Sequence, residues 1–189
     1  APGAIWRVEA SGAASMLIAA DPSGGDLALA NALDIAPDGS FFVFTDSDGD
    51  RVYRAAADGS AYTLVTDALD FPNGVAFAED GSAVFVAEWN GAAVHRFPVM
   101  GDGSLGTPEV VVSDVQNPDG LVVAPDGVLL VISSTRGVWS AMPGEAATQL
   151  TRAPMLAVNG ALGRGAYGEG LLYVVSLART SLTRITLAG

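Results

Sequence analysis

Three polar residues recur at matched places in this sequence of 189 residues. Asn31, Asn73 and Asp119 each stand seven positions ahead of an Asp-Gly pair (Asp38-Gly39, Asp80-Gly81, Asp126-Gly127), so both series are spaced by 42 and 46 residues. A fourth candidate, Asn159, follows 40 residues later, where the turn has become GRGAYGEG. Amide carbonyls and a carboxylate are hard oxygen donors, and gathered at one point they suit Ca2+. The same residues are ordinary turn formers within Pro-Asn-Gly and Pro-Asp-Gly, because Asn and Asp tolerate left-handed backbone and cap their own chain. Spacing alone leaves both readings open. The Asp-Gly pairs themselves read as hairpin turns.

Other chemistries are excluded by composition. There is no Cys and a single His, so thiolate sites, disulfides and imidazole-rich metal sites are ruled out. No serine nucleophile motif is present, and the Gly-rich stretches lack the Lys-Ser/Thr of a phosphate loop. Twenty-one acids against nine bases, all Arg, give a net charge of −12. Such a balance disfavours nucleic acid and anionic membranes as partners and suits a cation, although solubility alone also accounts for it. Half of the residues are hydrophobic. No apolar run reaches the length of a membrane-spanning helix. The chain opens Ala-Pro-Gly without Met, which reads as a processed, trimmed or partial sequence. No secretory signal marks a compartment, so localisation stays open between cytoplasmic and secreted.

The elements that carry these residues repeat as well. Each unit reads as a short strand (ALDIA, GVAFA, GLVVA, GALG), a turn, and a second strand (FFVFTDSD, AVFVAEWN, VLLVISST, LLYVVSLA). A third strand follows (RVYRAAA, AVHRFPV, GVWSAM, SLTRITL), and in three units a fourth (YTLVTD, PEVVVSD, ATQLTR). Four strands per unit of roughly 40 to 50 residues predict an all-β chain folded as a β-propeller. Sustained helical periodicity is absent. We expect a single propeller domain over 1–189. Its blades span about 31–67, 73–113 and 119–152, with partial blades at 4–20 and 159–187. The N-terminal strands either complete the last blade, making a small closed ring, or leave an open arc of a larger one. The first strand of each blade lines the central channel, so the repeat brings Asn31, Asn73 and Asp119 toward one axis.

Remaining polar residues receive structural expectations. His95 shares the third-strand register of Tyr53 and Trp139 and reads as a packing residue. Asp46 and Glu88 match each other at second-strand ends and are expected to face the channel or pair with Arg. Arg54 and Arg96 are expected to bond between blades. TDSDGD (45–50) lacks the twelfth-position Glu and flanking helices of an EF-hand and reads as a hairpin loop.

In order, LANALDIAPDGSFFVFTD, FPNGVAFAEDGSAVFVAE, GDGSLGTPEVVVSDVQNPDGLVVAPDGVLLV and LLYVVSLARTSLTRI resemble the gluconolactonase, senescence-marker-protein and luciferin-regenerating-enzyme-like family over nearly the whole chain. The resemblance implies a six-bladed propeller holding one divalent cation in its channel, usually Ca2+, with Zn2+ or Mg2+ as alternatives. It further implies Asn73 and Asp119 as metal ligands, with Asn31 beside them as ligand or substrate contact. Diisopropyl fluorophosphatase has a similar arrangement of Asn, Asn, Asp and Glu. The implied activity is hydrolysis of a small-molecule lactone or ester, with Asp119 as general base or nucleophile. Three departures stand out. The family's early ligand Glu has no counterpart, since Glu9 falls in a third-type strand. Ala32 replaces the Asp after the upstream Asn, and Leu29 replaces a preceding Arg. Roughly 60 residues of repeat are expected upstream. The alternatives are a non-catalytic propeller scaffold binding a protein or glycan, or an inactive truncated homologue. Oligomeric state is not readable.

Overall fold

The structure is a computed structural model and describes residues 3–152, 154–178 and 181–187. Among these residues the chain is built from strands and one short 3-10 turn, Gly165–Tyr167. The strands are β1 (Ile5–Val8), β2 (Ala14–Ile18), β3 (Ala30–Ile35), β4 (Phe41–Asp46), β5 (Arg51–Ala56) and β6 (Tyr62–Thr66). Next come β7 (Pro72–Phe77), β8 (Ala83–Glu88), β9 (Ala93–Pro98), β10 (Glu109–Val112), β11 (Pro118–Val123) and β12 (Leu129–Ser133). The last are β13 (Gly137–Ala141), β14 (Thr148–Thr151), β15 (Ala157–Leu162), β16 (Leu171–Ser176) and β17 (Ser181–Thr186). They form three four-stranded antiparallel meanders, β3–β6, β7–β10 and β11–β14, a three-stranded sheet β15–β17, and a two-stranded sheet β1–β2. The first strands neighbour one another in the order β3, β7, β11, β15. This is the blade arrangement of a β-propeller.

The strands form because β-branched and aromatic runs are punctuated by turn chemistry. At Gly39, Gly81 and Gly127 the backbone takes φ of 71°, 71° and 85°, where a side chain would be strained. The preceding Asp accepts the backbone N–H two residues on, at Ser40, Ser82 and Val128. Both faces of each central sheet are apolar because each packs on a neighbour. Ile5, Ile18 and Leu27 bury against Phe42, Phe44 and Tyr53, with the Phe44 and Tyr53 rings stacked at 5.0 Å. Val43 and Val52 meet Val75, Phe77 and Val86. Ala76 and Phe85 meet Leu121 and Val131, and Ile132 and Val138 meet Leu172 and Val174. Each fully buried side chain of this size contributes about 1.5–3 kcal/mol relative to exposure.

The N-terminal strands do not complete the last blade. β1 and β2 pair with each other and pack on the β3–β6 sheet, because Ile5 and Ile18 find their apolar contacts there. The described sheets therefore form an arc.

Each junction between blades carries the same latch. The polar residue ending a second strand bonds the segment that leads into the first strand. The Asp46 carboxylate accepts the Ala28 and Leu29 N–H groups, and Glu88 accepts the Asp70 N–H at 2.8 Å. The Ser133 and Ser176 hydroxyls donate to the Gln116 and Met155 carbonyls at 2.6 Å each. Asp46 and Glu88 thus serve bare backbone groups rather than pairing with Arg. The second oxygen of Glu88 lies 2.7 Å from His95 Nε2, which gives the histidine a packed, paired position. Arg54 Nε does bond across blades, to the Gly103 carbonyl at 2.6 Å. Arg96 stays within its own blade, paired with Glu109 at 3.1 Å, because the two residues are directly opposed on β9 and β10. Of residues 45–50, Thr45 and Asp46 end β4 and 47–50 form the tight connection to β5.

Candidate functional site

All four first strands carry a β-bulge near their start. Two residues there oppose one on the second strand: Asn31 and Ala32 against Thr45, Asn73 and Gly74 against Ala87, Asp119 and Gly120 against Ile132, and Val158 and Asn159 against Val175. Bulges re-aim a side chain while leaving the rest of the ladder intact. The ladders set a common register, and a second pattern confirms it. The N–H groups of Ser47, Trp89, Ser134 and Leu177 donate to the carbonyls of Leu29, Phe71, Asn117 and Leu156 respectively. Phe71, Asn117 and Leu156 share positive φ values of 58°, 49° and 51°.

This register holds Asn31, Asn73 and Asp119 at one position on three neighbouring strands. Asn159 does not share it. Val158 occupies the equivalent place, and Asn159 falls one residue later, exposed, its Oδ1 accepting the Gly160 N–H at 2.8 Å. Counting residues back to the turn misses this because the turn after β15 has a different length.

Close approach of the strands depends on the residue after each site position. A Cβ on Gly74 would lie 2.8 Å from the Leu121 nitrogen, and one on Gly120 would lie 2.7 Å from the Asn159 Cα. Neither strand could approach its neighbour so closely with a side chain there. On the other side Thr45 ties the strands together. Its hydroxyl donates to the Asn73 carbonyl at 2.8 Å and accepts the Ala32 N–H at 3.2 Å. Ser47, wholly buried, donates to the Pro72 carbonyl at 2.6 Å and accepts from the Asn31 amide nitrogen at 2.9 Å. Because that hydroxyl proton is already committed, the Asn31 nitrogen must be the donor, which leaves the Asn31 carbonyl oxygen free.

The remaining two side chains are without partners. Asn73 is 4% exposed, and its side-chain amide makes no hydrogen bond among the described residues. Asp119 is half-buried, likewise without a hydrogen bond or ion pair, and burial pushes its carboxyl from the ordinary 3.8 up to about 7. Two polar side chains without a hydrogen-bond partner among the described residues thus stand on adjacent strands, both open to a ligand. Among the described residues no three of His, Asp and Glu gather as a metal-holding cluster. The set at the bulges offers one carboxylate and two amide carbonyls, all hard oxygens. These fit as part of the six to eight ligands that Ca2+ takes. Glu9 is exposed, ion-paired with Arg7 at 2.9 Å, and takes no part.

Thr45, Ser47 and Ser134 were not singled out by sequence. Ser134 is 3% exposed and its hydroxyl has no partner among the described residues. Their signal lies in the strand pairing, since the β11–β12 turn is one residue shorter than the β3–β4 turn and so places Ser134 one residue nearer to Asp119 than Ser47 is to Asn31.

Comparison with known proteins bears on this architecture. Superposed solved structures include a gluconolactonase from Xanthomonas campestris, 29% identical with a TM-score of 0.76, over 92% of this chain and 62% of that one. This chain thus spans less than two thirds of that protein. A chain of the nidogen/laminin complex aligns at 18% identity and TM-score 0.79 over 97% of this chain and 68% of its own. Virginiamycin B lyase from Staphylococcus aureus aligns at 16% identity and TM-score 0.64 over 98% and 64%. The last two show likeness of fold. No curated protein sequence matches significantly. The profile of the SMP-30/gluconolactonase/LRE-like region matches residues 48–154, more than half of the chain and including Asn73 and Asp119. The chain therefore belongs to the SMP-30/gluconolactonase/LRE-like family of β-propellers.

Proposed function

We propose that this chain carries the centre of a divalent-cation-dependent hydrolase acting on a small-molecule lactone or ester. Ca2+ is the first candidate cation, with Zn2+ and Mg2+ as alternatives. The observation that carries the reading is the Asp119 carboxylate beside the Asn73 amide, both without a hydrogen-bond partner among the described residues. Asn73 and Asp119 would hold the cation, and the free Asn31 carbonyl oxygen would complete the inner side or receive the substrate. A bound divalent cation supplies Lewis acidity, polarising a carbonyl and lowering the pKa of water. The chain's own contribution is the proton. Asp119 would also serve as general base; its pKa of about 7 describes the cation-free site, and a bound cation would draw it down. Family membership and the gluconolactonase likeness support the substrate class.

The test is a thermal melt with and without millimolar Ca2+, paired with pH-stat hydrolysis of δ-gluconolactone. A ligand that binds only the folded state at a hundred times its Kd adds about 2.7 kcal/mol. The wild-type protein is expected to melt higher with Ca2+ and to lose activity in EDTA, and Asp119→Ala to do neither. Identical melts for both proteins, with and without Ca2+, would sink the reading. Cation binding without turnover would favour a non-catalytic scaffold.

A further inference from the structure

We propose that the hydroxyl of Ser134 is a positioning group for Asp119, donating to its carboxylate at the register where the Ser47 hydroxyl accepts from the Asn31 amide. The inference rests on Asp119 being the site carboxylate, as proposed above. It is carried by the repeat itself. Ser47 and Ser134 hold one register, each donating its N–H to the carbonyl two residues before the site position, at Leu29 and Asn117. Asn31 and Asp119 likewise hold one register, at the bulges of β3 and β11. In the first of these blades hydroxyl and site side chain are joined, at 2.9 Å. In the other both are present and both are left over. Among the described residues the buried Ser134 hydroxyl has no partner, and the Asp119 carboxylate has none.

The blade between them supplies the contrast. There Trp89 stands where the two serines stand, so Asn73 has no hydroxyl to meet. The shared register places Ser134 and Asp119 as Ser47 and Asn31 are placed, and a bond between them would complete a second such pair. A buried hydroxyl and an unpaired carboxylate each cost free energy that a shared hydrogen bond recovers. The bond would take one carboxylate oxygen and leave the other for the ligand. Carboxylates that hold cations are commonly fixed in this way from behind.

The test combines Ser134→Ala, Ser134→Thr and Asp119→Ala, with the double variant Ser134→Ala/Asp119→Ala, in two measurements. The first is urea unfolding in EDTA, which needs no cation. Deleting a hydroxyl that bonds nothing should leave stability unchanged or raise it. Deleting a partner of Asp119 should raise the unfolding constant about tenfold, and this effect should vanish in the Asp119→Ala background. The second is Ca2+ calorimetry, where Ser134→Ala should weaken affinity about 10- to 100-fold and Ser134→Thr, which keeps the hydroxyl, should restore it. Ser134→Ala matching wild type in both measurements, or having an equal effect with and without the Asp119 carboxylate, would overturn the proposal. A wild-type protein that binds no Ca2+ yet shows the coupling in EDTA would remove the cation reading and leave the Ser134–Asp119 pair standing.

Discussion

Asp119 places its mark on stability as well as on chemistry. Burial without a counter-charge raises its carboxyl to about 7, against 3.8 ordinarily. Between those values the folded chain holds a proton that the unfolded chain has released. Cation-free stability should therefore fall as pH rises through that window and level off above it. Asp119→Asn removes the carboxyl and should remove this slope. In EDTA its melting temperature is expected to overtake that of the wild type progressively between about pH 4 and 7. A constant difference across that range would mean that Asp119 titrates normally. Residue types alone made Asp119 a candidate, and the chemistry of Asn and Asp beside Pro and Gly was visible in the sequence. That Asn73 and Asp119 lack hydrogen-bond partners among the described residues was not. Pairing depends on what neighbouring strands bring within hydrogen-bond distance, such as Ser47 at Asn31 and Trp89 near Asn73.

The first strand is the unit that turns a repeated residue into a converging set. Its bulge fixes the site position, and the glycine after that position allows the next strand to lie against it. Gly74→Ala should force β7 and β11 apart, since the added Cβ meets backbone rather than a movable side chain. Overpacking of this kind costs about 1–3 kcal/mol, so the urea midpoint should drop with unchanged slope. A neutral effect would contradict the close contact. The strands, their order in each blade and the Asp-Gly turns were legible in the sequence because period, turn chemistry and repeat length all point the same way. The register at β15 was not. Counting back from a turn of altered length selects Asn159, whereas the bulge selects Val158. Arg96 was also placed by analogy with Arg54, but its partner is the directly opposed Glu109, a contact set by β9–β10 pairing.

At the scale of the molecule, the repeat provides its own control for the two end faces of the arc. Val175 and Leu182 are 43% and 65% exposed, while their counterparts in the preceding blade, Ile132 and Val138, are wholly buried. At the other end Leu33 and Ile35 are exposed where Val75 and Phe77 are buried. No sheet lies on the Val175–Leu182 face among the described residues, and the β1–β2 sheet covers only part of the face that bears Leu33 and Ile35, beside Phe42 and Phe44; exposed apolar faces favour association. The 189-residue polypeptide is expected to self-associate as concentration rises, and Val175→Thr with Leu182→Thr to shift it toward monomer. Folding stability should change by no more than about 0.5 kcal/mol per substitution, as expected for exposed positions. Sedimentation velocity over a concentration series checks this, and identical profiles for both proteins would contradict it. The sequence also allowed a small closed ring; among the described residues β1 and β2 pair with each other and not with β15–β17, which decides for the arc. The central claim, that the bulges of β3, β7 and β11 form a cation centre, is tested most directly by a high-resolution crystal structure grown in millimolar Ca2+. The account predicts one cation bound by the Asn73 side-chain oxygen and the Asp119 carboxylate. A structure in which that place holds only water, or in which Ca2+ binds elsewhere, would contradict it.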